Sequence, residues 1–148
     1  MQKYVVLSGD QSLTASTAET VIQTVTGSTR KLQWIGFTVS FASVTSTETP
    51  VLIEILTQTT AGTASAATPV ALVQTDPAAI FTAQHTFTAE PTAGTVIRAL
   101  RLTPIGGTIV YNFPPGQEIE QSVSTRIGLR LTAGANQSNV RTEVIVQE

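Results

Sequence analysis

Hydrophobic and polar positions alternate with a period of two along much of the chain, and a helical period of 3.6 does not recur. The clearest example is residues 126–132, where Ile127, Leu129 and Leu131 alternate with arginines and a glycine. Because successive side chains of a strand point to opposite faces, this pattern predicts strands with one buried face. The other segments with this pattern are 31–41, 51–58, 95–102 and 140–146.

Two of these segments carry apolar residues on both parities. In 31–41, Phe37 and Val39 share one face while Leu32 and Trp34 lie on the other, so a bulge near Gly36 would turn both sets inward. Segment 51–58 is apolar on both faces, which predicts a central strand. Weaker strand signals, separated by turn residues, lie at 4–7, 20–26, 69–74, 85–89, 108–113 and 118–122.

This spacing of short strands and turns predicts a single all-β domain, an antiparallel β-sandwich or jelly roll of about 8–10 strands. Residues 29–148 form the predicted sandwich. Residues 1–28 are rich in Thr, Ser and Gln, which favours an N-terminal arm or edge strand. The alternative is that residues 4–7 form the first strand of the sandwich itself. Segment 57–68 has no large side chain, so we expect a mobile or partner-ordered loop there. Asp76 followed by Pro77 permits one helical turn over 76–81.

Composition restricts the classes of partner. Charged residues make up 12% of the chain, the net charge is −2, and the basic residues are scattered, so we expect no nucleic-acid binding. Cys is absent, and no apolar run reaches the roughly 18 residues of a membrane span. The apolar run near the N-terminus has four residues, too short for a signal-peptide core, which favours synthesis in a cytoplasm without export.

Candidates for catalysis are few. His85 is the single histidine, and no Gly-x-Ser-x-Gly motif accompanies it, so a structural role is preferred. Glu118 and Glu120 would lie about 7 Å apart on one strand face, a separation that suits glycoside hydrolysis. A solvated edge is the simpler interpretation of that pair. Trp34 lies in the most apolar segment and is interpreted as core. We therefore predict no catalytic residues and no enzyme activity.

Metal and modification signals are equally sparse. Asp10, Asp76 and Glu90 are isolated in sequence, so no calcium cage is predicted, and no cofactor is expected. Residues 136–138 match a glycosylation acceptor, which is irrelevant without export. Arg126, Arg130 and Arg141 would face one way if their strands were neighbours, forming a basic stripe, and three solvated arginines are the alternative.

Several segments resemble small proteins encoded in tailed-phage genomes. The stretches that carry the resemblance are 54–63, 68–70, 87–92, 113–118 and 126–132. The wider group with which they are consistent is the capsid decoration, or cement, proteins. That resemblance implies a β-rich, jelly-roll-like subunit, commonly a homotrimer, located on the virion surface.

The function implied is structural. The chain would bind the outer surface of a phage head through the major capsid protein and oppose separation of the capsomers. The predicted contact is strand addition by Gln2–Leu7, with Tyr4 and Val6 as anchors. The alternative is a jelly-roll carbohydrate- or receptor-binding module of a phage fibre or tail. The full set of predicted interface residues is Tyr4, Val5, Val6, Leu7, Arg126, Arg130 and Arg141.

Overall fold

The computed structural model describes residues 1–42, 49–135 and 139–148, and in this part of the chain there are twelve strands and no helix. The strands are β1 (Lys3–Ser12), β2 (Ala18–Val25), β3 (Leu32–Phe41), β4 (Val51–Gln58), β5 (Thr63–Ala67), β6 (Val70–Ala71), β7 (Thr82–Ala89), β8 (Ala93–Leu102), β9 (Thr108–Asn112), β10 (Ile119–Gln121), β11 (Arg126–Thr132) and β12 (Asn139–Gln147). None of the described residues forms a helix with the length and apolar character needed to span a membrane.

Two antiparallel sheets pack face to face. The front sheet has the order β6-β1-β12-β3, and both β9 and β10 pair with the far edge of β3. The back sheet has the order β5-β7-β2-β11-β4-β8. The quartet β1-β12-β3-β9 therefore faces the quartet β2-β11-β4-β8, which is the strand order of a jelly roll. β5, β6 and β7 are an insertion in the chain between β4 and β8, which are neighbours in the back sheet. The predicted jelly-roll-like sandwich is confirmed.

The core lies between the two sheets, and the strands with the clearest alternation supply it. Ile127, Leu129 and Leu131 of β11 are buried, as are alternate residues of β12 from Val140 to Val146. Apart from Ile145, their outward neighbours are polar or small, so a register slip of one residue would expose the buried apolar set. This is why the two strands are readable from sequence.

The bulge predicted near Gly36 is present. Ile145 of β12 pairs with Gly36, while the next residue, Val146, pairs with Trp34, so Ile35 is the extra residue of β3. The insertion shifts the parity of the strand at that point. As a result Leu32 and Trp34 before it and Phe37 after it all point into the core.

Residues 1–28 do not form an arm apart from the sandwich. They supply β1 to the front sheet, where β12 pairs with it from Lys3 to Ser12, and β2 to the interior of the back sheet between β7 and β11. β1 is close to an edge, because β6 pairs only with Tyr4 and Val5. The Thr-rich composition misled the prediction, since Thr20 and Thr24 are buried inside the fold.

The loop prediction for 57–68 was wrong over most of its length. Residues 57 and 58 end β4, and Thr63–Ala67 form β5, which pairs with β7. Main-chain hydrogen bonds hold this strand, so it needs no large side chain of its own. The helical turn predicted at 76–81 does not form either; a backbone bond from Asp76 N–H to Val73 O closes a turn just before it.

Candidate interaction surface

The solvent-facing side of the front sheet, here called the front face, carries an apolar band. Val70 of β6, Val5 of β1 and Ile145 of β12 lie side by side in one row of paired residues. Leu7 extends the band one row further. Val110 of β9 lies in the same row as Leu7 at the other side of the sheet, but Glu143 of β12 and Thr38 of β3 separate the two. Leu7, Val70 and Val110 are 49%, 51% and 66% exposed.

The polar side chains around this band are bonded to one another across strands. Arg141 makes a bidentate contact with Asp10, with both N···O distances at 2.9 Å. Thr38 Oγ1 donates to Glu143 at 2.9 Å, and Gln147 donates to Gln33. Groups that already have partners lose less on leaving water than free ones. The front face is therefore a pleated surface with an apolar band and internally satisfied polar margins.

The apolar exposure continues past β6 at the edge of the sheet. Leu72 lies two residues after Val70, and its N–H donates to Lys3 O at 2.9 Å, which extends the pairing of β6 with β1. Leu72 is 52% exposed, so it adds to the band on the same side of the strand. Exposed apolar residues that lie together in this way mark interaction surfaces, whereas scattered ones need no explanation.

The outer side of the back sheet is partly covered by other segments of the chain, unlike the front face. Thr20, Gln23 and Gln58 point away from the core by their register, yet they are buried. Gln23 donates to Gln58 Oε1 at 2.7 Å and to Thr60 O at 3.1 Å, so the chain after β4 crosses over them. β7 makes this possible, since it leaves β2 after His85, where Thr86 adopts a left-handed φ of 52°.

Residues 59–62 after β4 and residues 90–92 after β7 together form the covering segment, since Thr59 N–H donates to Thr92 O at 3.0 Å. Glu90 fastens this covering segment to the sheet. Its carboxylate accepts the backbone N–H of Thr20 at 2.9 Å. Partial burial raises the pKa of Glu90 from its ordinary value of 4.5, and the hydrogen bonds to Thr20 oppose that rise. The effect of desolvation on the pKa is larger than the effect of the hydrogen bonds. Keeping the Glu90 carboxylate ionised at neutral pH therefore has a small cost in stability.

The predicted interface residues at the N-terminus alternate between the two sides of β1. Tyr4 and Val6 face the core and are buried, and the Tyr4 hydroxyl donates to Pro77 O at 3.0 Å. Val5 and Leu7 face outward on the front face. Strand addition anchored by Tyr4 and Val6 would pull both out of the core, so that detail of the prediction was wrong. The two outward residues of the segment remain available to a partner.

The three arginines do not form one stripe. β11 and β12 lie in different sheets, so Arg126 and Arg130 belong to the back sheet and Arg141 to the front. Arg130 contacts Glu54 Oε2 through Nε at 3.0 Å and Nη2 at 2.8 Å, and both side chains are mostly buried. Arg141 is paired with Asp10. Of these three arginines, Arg126 alone has no ion-pair partner among the described residues.

Each candidate catalytic residue contacts a group outside the candidate set. His85 lies on β7 and contacts its neighbour Thr86 at 2.8 Å. Glu118 precedes β10 and accepts the N–H of Gly116 at 2.6 Å, while Glu120 is paired with Lys31 at 2.6 Å. Trp34 is fully buried in the core, as predicted, with its indole N–H bonded to Thr24 Oγ1.

Two of the metal candidates already have partners. Asp10 pairs with Arg141 and Glu90 bonds to Thr20, and both carboxylates line one cleft together with Glu19. Within 1–42, 49–135 and 139–148, no three His, Asp or Glu side chains are grouped to hold a metal ion. The glycosylation acceptor predicted at 136–138 lies outside the described residues.

The fold and this surface define a jelly-roll-like β-sandwich with one covered sheet and one open sheet. Comparison of the chain with protein-family models, with curated proteins and with solved structures finds no match.

Proposed function

We propose that this chain is a structural virion protein of the capsid decoration type, which binds the outer surface of a phage head through its front face. The observation that carries the proposal is the apolar band of Val5, Leu7, Val70 and Ile145, with Val110 as a separate exposed apolar residue on the same face. The jelly-roll-like fold and the resemblance of five segments to phage proteins support it. On this proposal the chain acts by contact and not by catalysis.

The charge pattern of the front face suits adhesion to a large protein shell. Its rows contain Lys3 and Arg141, and also Asp10, Glu143 and Glu120, the last of which is paired with Lys31 beside β3. These three positive and three negative formal charges cancel. A surface without net charge does not repel its own copies when many of them crowd on one lattice. The apolar band supplies the association energy, and the paired polar margin limits the cost of removing water.

The fold also restricts how the protein grips. β1 is a core strand, so residues 1–8 are not a detachable tail, and the contact is made by side chains of the intact sheet. A rigid sheet resists shear because its strands are hydrogen-bonded to neighbours along most of their length. We further propose a homotrimer as the binding unit, to be measured by size-exclusion chromatography with light scattering.

The test uses undecorated, expanded heads assembled from the major capsid protein encoded near this gene. Purified chain is added and the particles are imaged by electron microscopy. We expect stoichiometric, ordered density on the outer surface and a higher temperature of head disruption. Absence of binding at a stoichiometric ratio refutes the proposal.

Two variants locate the contact. Leu7→Lys places a charge in the band and Val110→Lys places one elsewhere on the front face, both at exposed positions. Each should abolish head binding while changing the free energy of unfolding by about 0.5 kcal/mol or less. Val96→Lys is the matched control, because Val96 is 42% exposed on β8 of the back sheet. Loss of binding by Val96→Lys alone would show that the front face is the wrong surface.

A further inference from the structure

β8 is an edge strand of the back sheet, and its second half is basic. It pairs with β4 alone, so its other side has no strand neighbour among the described residues. After a register shift at Ile97, residues 98–102 pair regularly with β4. Arg101 is exposed, and the Arg98 guanidinium lies 5.4 Å from the centre of the Phe113 ring. Neither arginine makes an ion pair with a described residue, so this edge carries two unpaired positive charges.

The opposite edge of the back sheet is acidic. β7 pairs with β2 only from Ile22 onwards, so the first residues of β2 have no strand neighbour on that side in the described part of the chain. A cleft of about 190 Å³ opens there, and Asp10, Glu19 and Glu90 are in its lining. Asp10 is paired with Arg141. Glu19 and Glu90 accept hydrogen bonds but make no ion pair with a described residue, so this acidic cleft has two carboxylates that can still pair with a cation.

The two edges match in height along the strands. Rows of paired residues run across the back sheet from β2 through β11 and β4 to β8. The row that begins at Glu19 ends one residue from Arg101. The row that begins at Thr20, whose N–H the Glu90 carboxylate binds, ends one residue from Arg98. One residue is about 3.3 Å along a strand, so a copy placed beside the first without a shift along the strands brings each arginine close to a carboxylate.

We propose that copies of this chain associate head to tail, with residues 98–102 of β8 in one copy against the acidic cleft of the next. A second copy neutralises both edges at once, whereas a metal ion or a separate acidic protein would neutralise only one of them. The two surfaces differ, so the contact is heterologous and can be repeated from copy to copy. It lies outside the apolar band of the front face and does not depend on head binding.

The test is sedimentation of the purified chain at low salt and at concentrations up to about 1 mM, the range of weak contacts, with no phage heads present. We expect the mass to rise with concentration and the association to weaken at high salt, because exposed ion pairs are screened. A monomer at every concentration would overturn the proposal. So would association that persists at high salt, which would indicate contact through the apolar band. Loss of head binding would not change either result.

Charge reversal locates the contact. Arg101→Glu and Glu19→Arg should each weaken self-association at least about tenfold, because each brings like charges together. An equimolar mixture of the two variants should associate again, since the unaltered edge of one meets the unaltered cleft of the other. Lys3→Glu is the matched control, the same reversal at an exposed position at the start of β1, and should associate like the parent.

Circular dichroism checks that each variant is folded. Arg101→Glu changes an exposed position and remains a test by itself should Glu19→Arg not fold. An equal loss of association in Lys3→Glu would show that net charge and not this contact is responsible. A mixture of two folded variants that stays monomeric would refute the head-to-tail pairing.

Discussion

Thr24 connects the two sheets through its side-chain hydroxyl. The residue is fully buried on β2 of the back sheet, and its Oγ1 accepts the indole N–H of Trp34 at 3.0 Å. The same hydroxyl donates to Gln121 Oε1 at 2.6 Å. Trp34 and Gln121 both belong to the front sheet, so one hydroxyl satisfies two buried groups of the opposite layer. Replacing Thr24 by Val keeps the branched shape and removes only this oxygen.

The size of the effect depends on the groups that the substitution leaves unpaired. Trp34 and Gln121 are 0% and 1% exposed, so water does not reach them readily to replace the lost partner. Gln121 keeps its two donor bonds, to Thr24 O and Thr125 O, which hold its amide in place with Oε1 unpaired. Each buried group without a partner costs about 1–3 kcal/mol. Thr24→Val should therefore lower the free energy of unfolding by about 2–5 kcal/mol, with a fall in Tm of the order of 10 °C.

Thr142→Val is the matched control in the same core. Thr142 is 1% exposed on β12, and its hydroxyl has no hydrogen-bond partner among the described residues. Removing that hydroxyl abolishes no bond, so stability should stay the same or rise. Urea unfolding monitored by the fluorescence of Trp34, the single tryptophan, and by circular dichroism gives both values. Equal losses in the two variants would refute the reasoning, because the cost would then belong to the Thr-to-Val change itself.

Two further substitutions test the bulge and the covering segment. A Cβ at Gly36 would lie 2.6 Å from Tyr111 O, so Gly36→Ala should lower the free energy of unfolding in urea by about 1–3 kcal/mol. Gly27→Ala is the control, because a Cβ there meets nothing within 4 Å and the loss should be smaller. Similar losses in the two variants would contradict this explanation. Since the pKa of Glu90 is raised in the fold, its stability contribution falls as pH rises from 4.5 through the folded pKa. Glu90→Gln, which can still accept the Thr20 N–H, should therefore be more stable than the parent at neutral pH and equal to it well below pH 4.5; a gain that grows towards acid pH would be the wrong sign.

Strands with one buried face could be predicted from the sequence, and strands held by the main chain could not. β11 and β12 were readable because burial of one face forces a period of two, and the parity change within 31–41 indicated the bulge at Gly36. β5 has the sequence Thr-Ala-Ser-Ala-Ala and leaves no such trace, since its pairing with β7 depends on backbone groups that every residue carries.

Buried polar residues explain why the composition of the N-terminal segment suggested an arm, although the segment forms two strands of the sandwich. Thr20, Gln23 and Thr24 look like surface residues, and all three are buried in β2. Their partners come from distant parts of the chain: Gln58 bonds to Thr20 and Gln23, and Gln121 bonds to Thr24. A polar residue is buried at low cost only when such a partner is in place. No local window of sequence contains that information, so composition pointed to an arm.

Exposed apolar residues of the front face could not be predicted from the sequence either. Apolar residues on both parities of 51–58 predict a central strand, and β4 is one, with neighbours on both sides and outward-facing Leu56 fully buried. β1 has the same two-sided pattern, yet its outward residue Leu7 is half exposed. On the back sheet the chain around Thr60 folds over Gln23, and none of the described residues folds over Leu7 in the same way. A strand that is apolar on both faces is therefore predicted to have both faces covered. Where the fold of the chain covers only one of them, the other face is the one to test for binding of a partner.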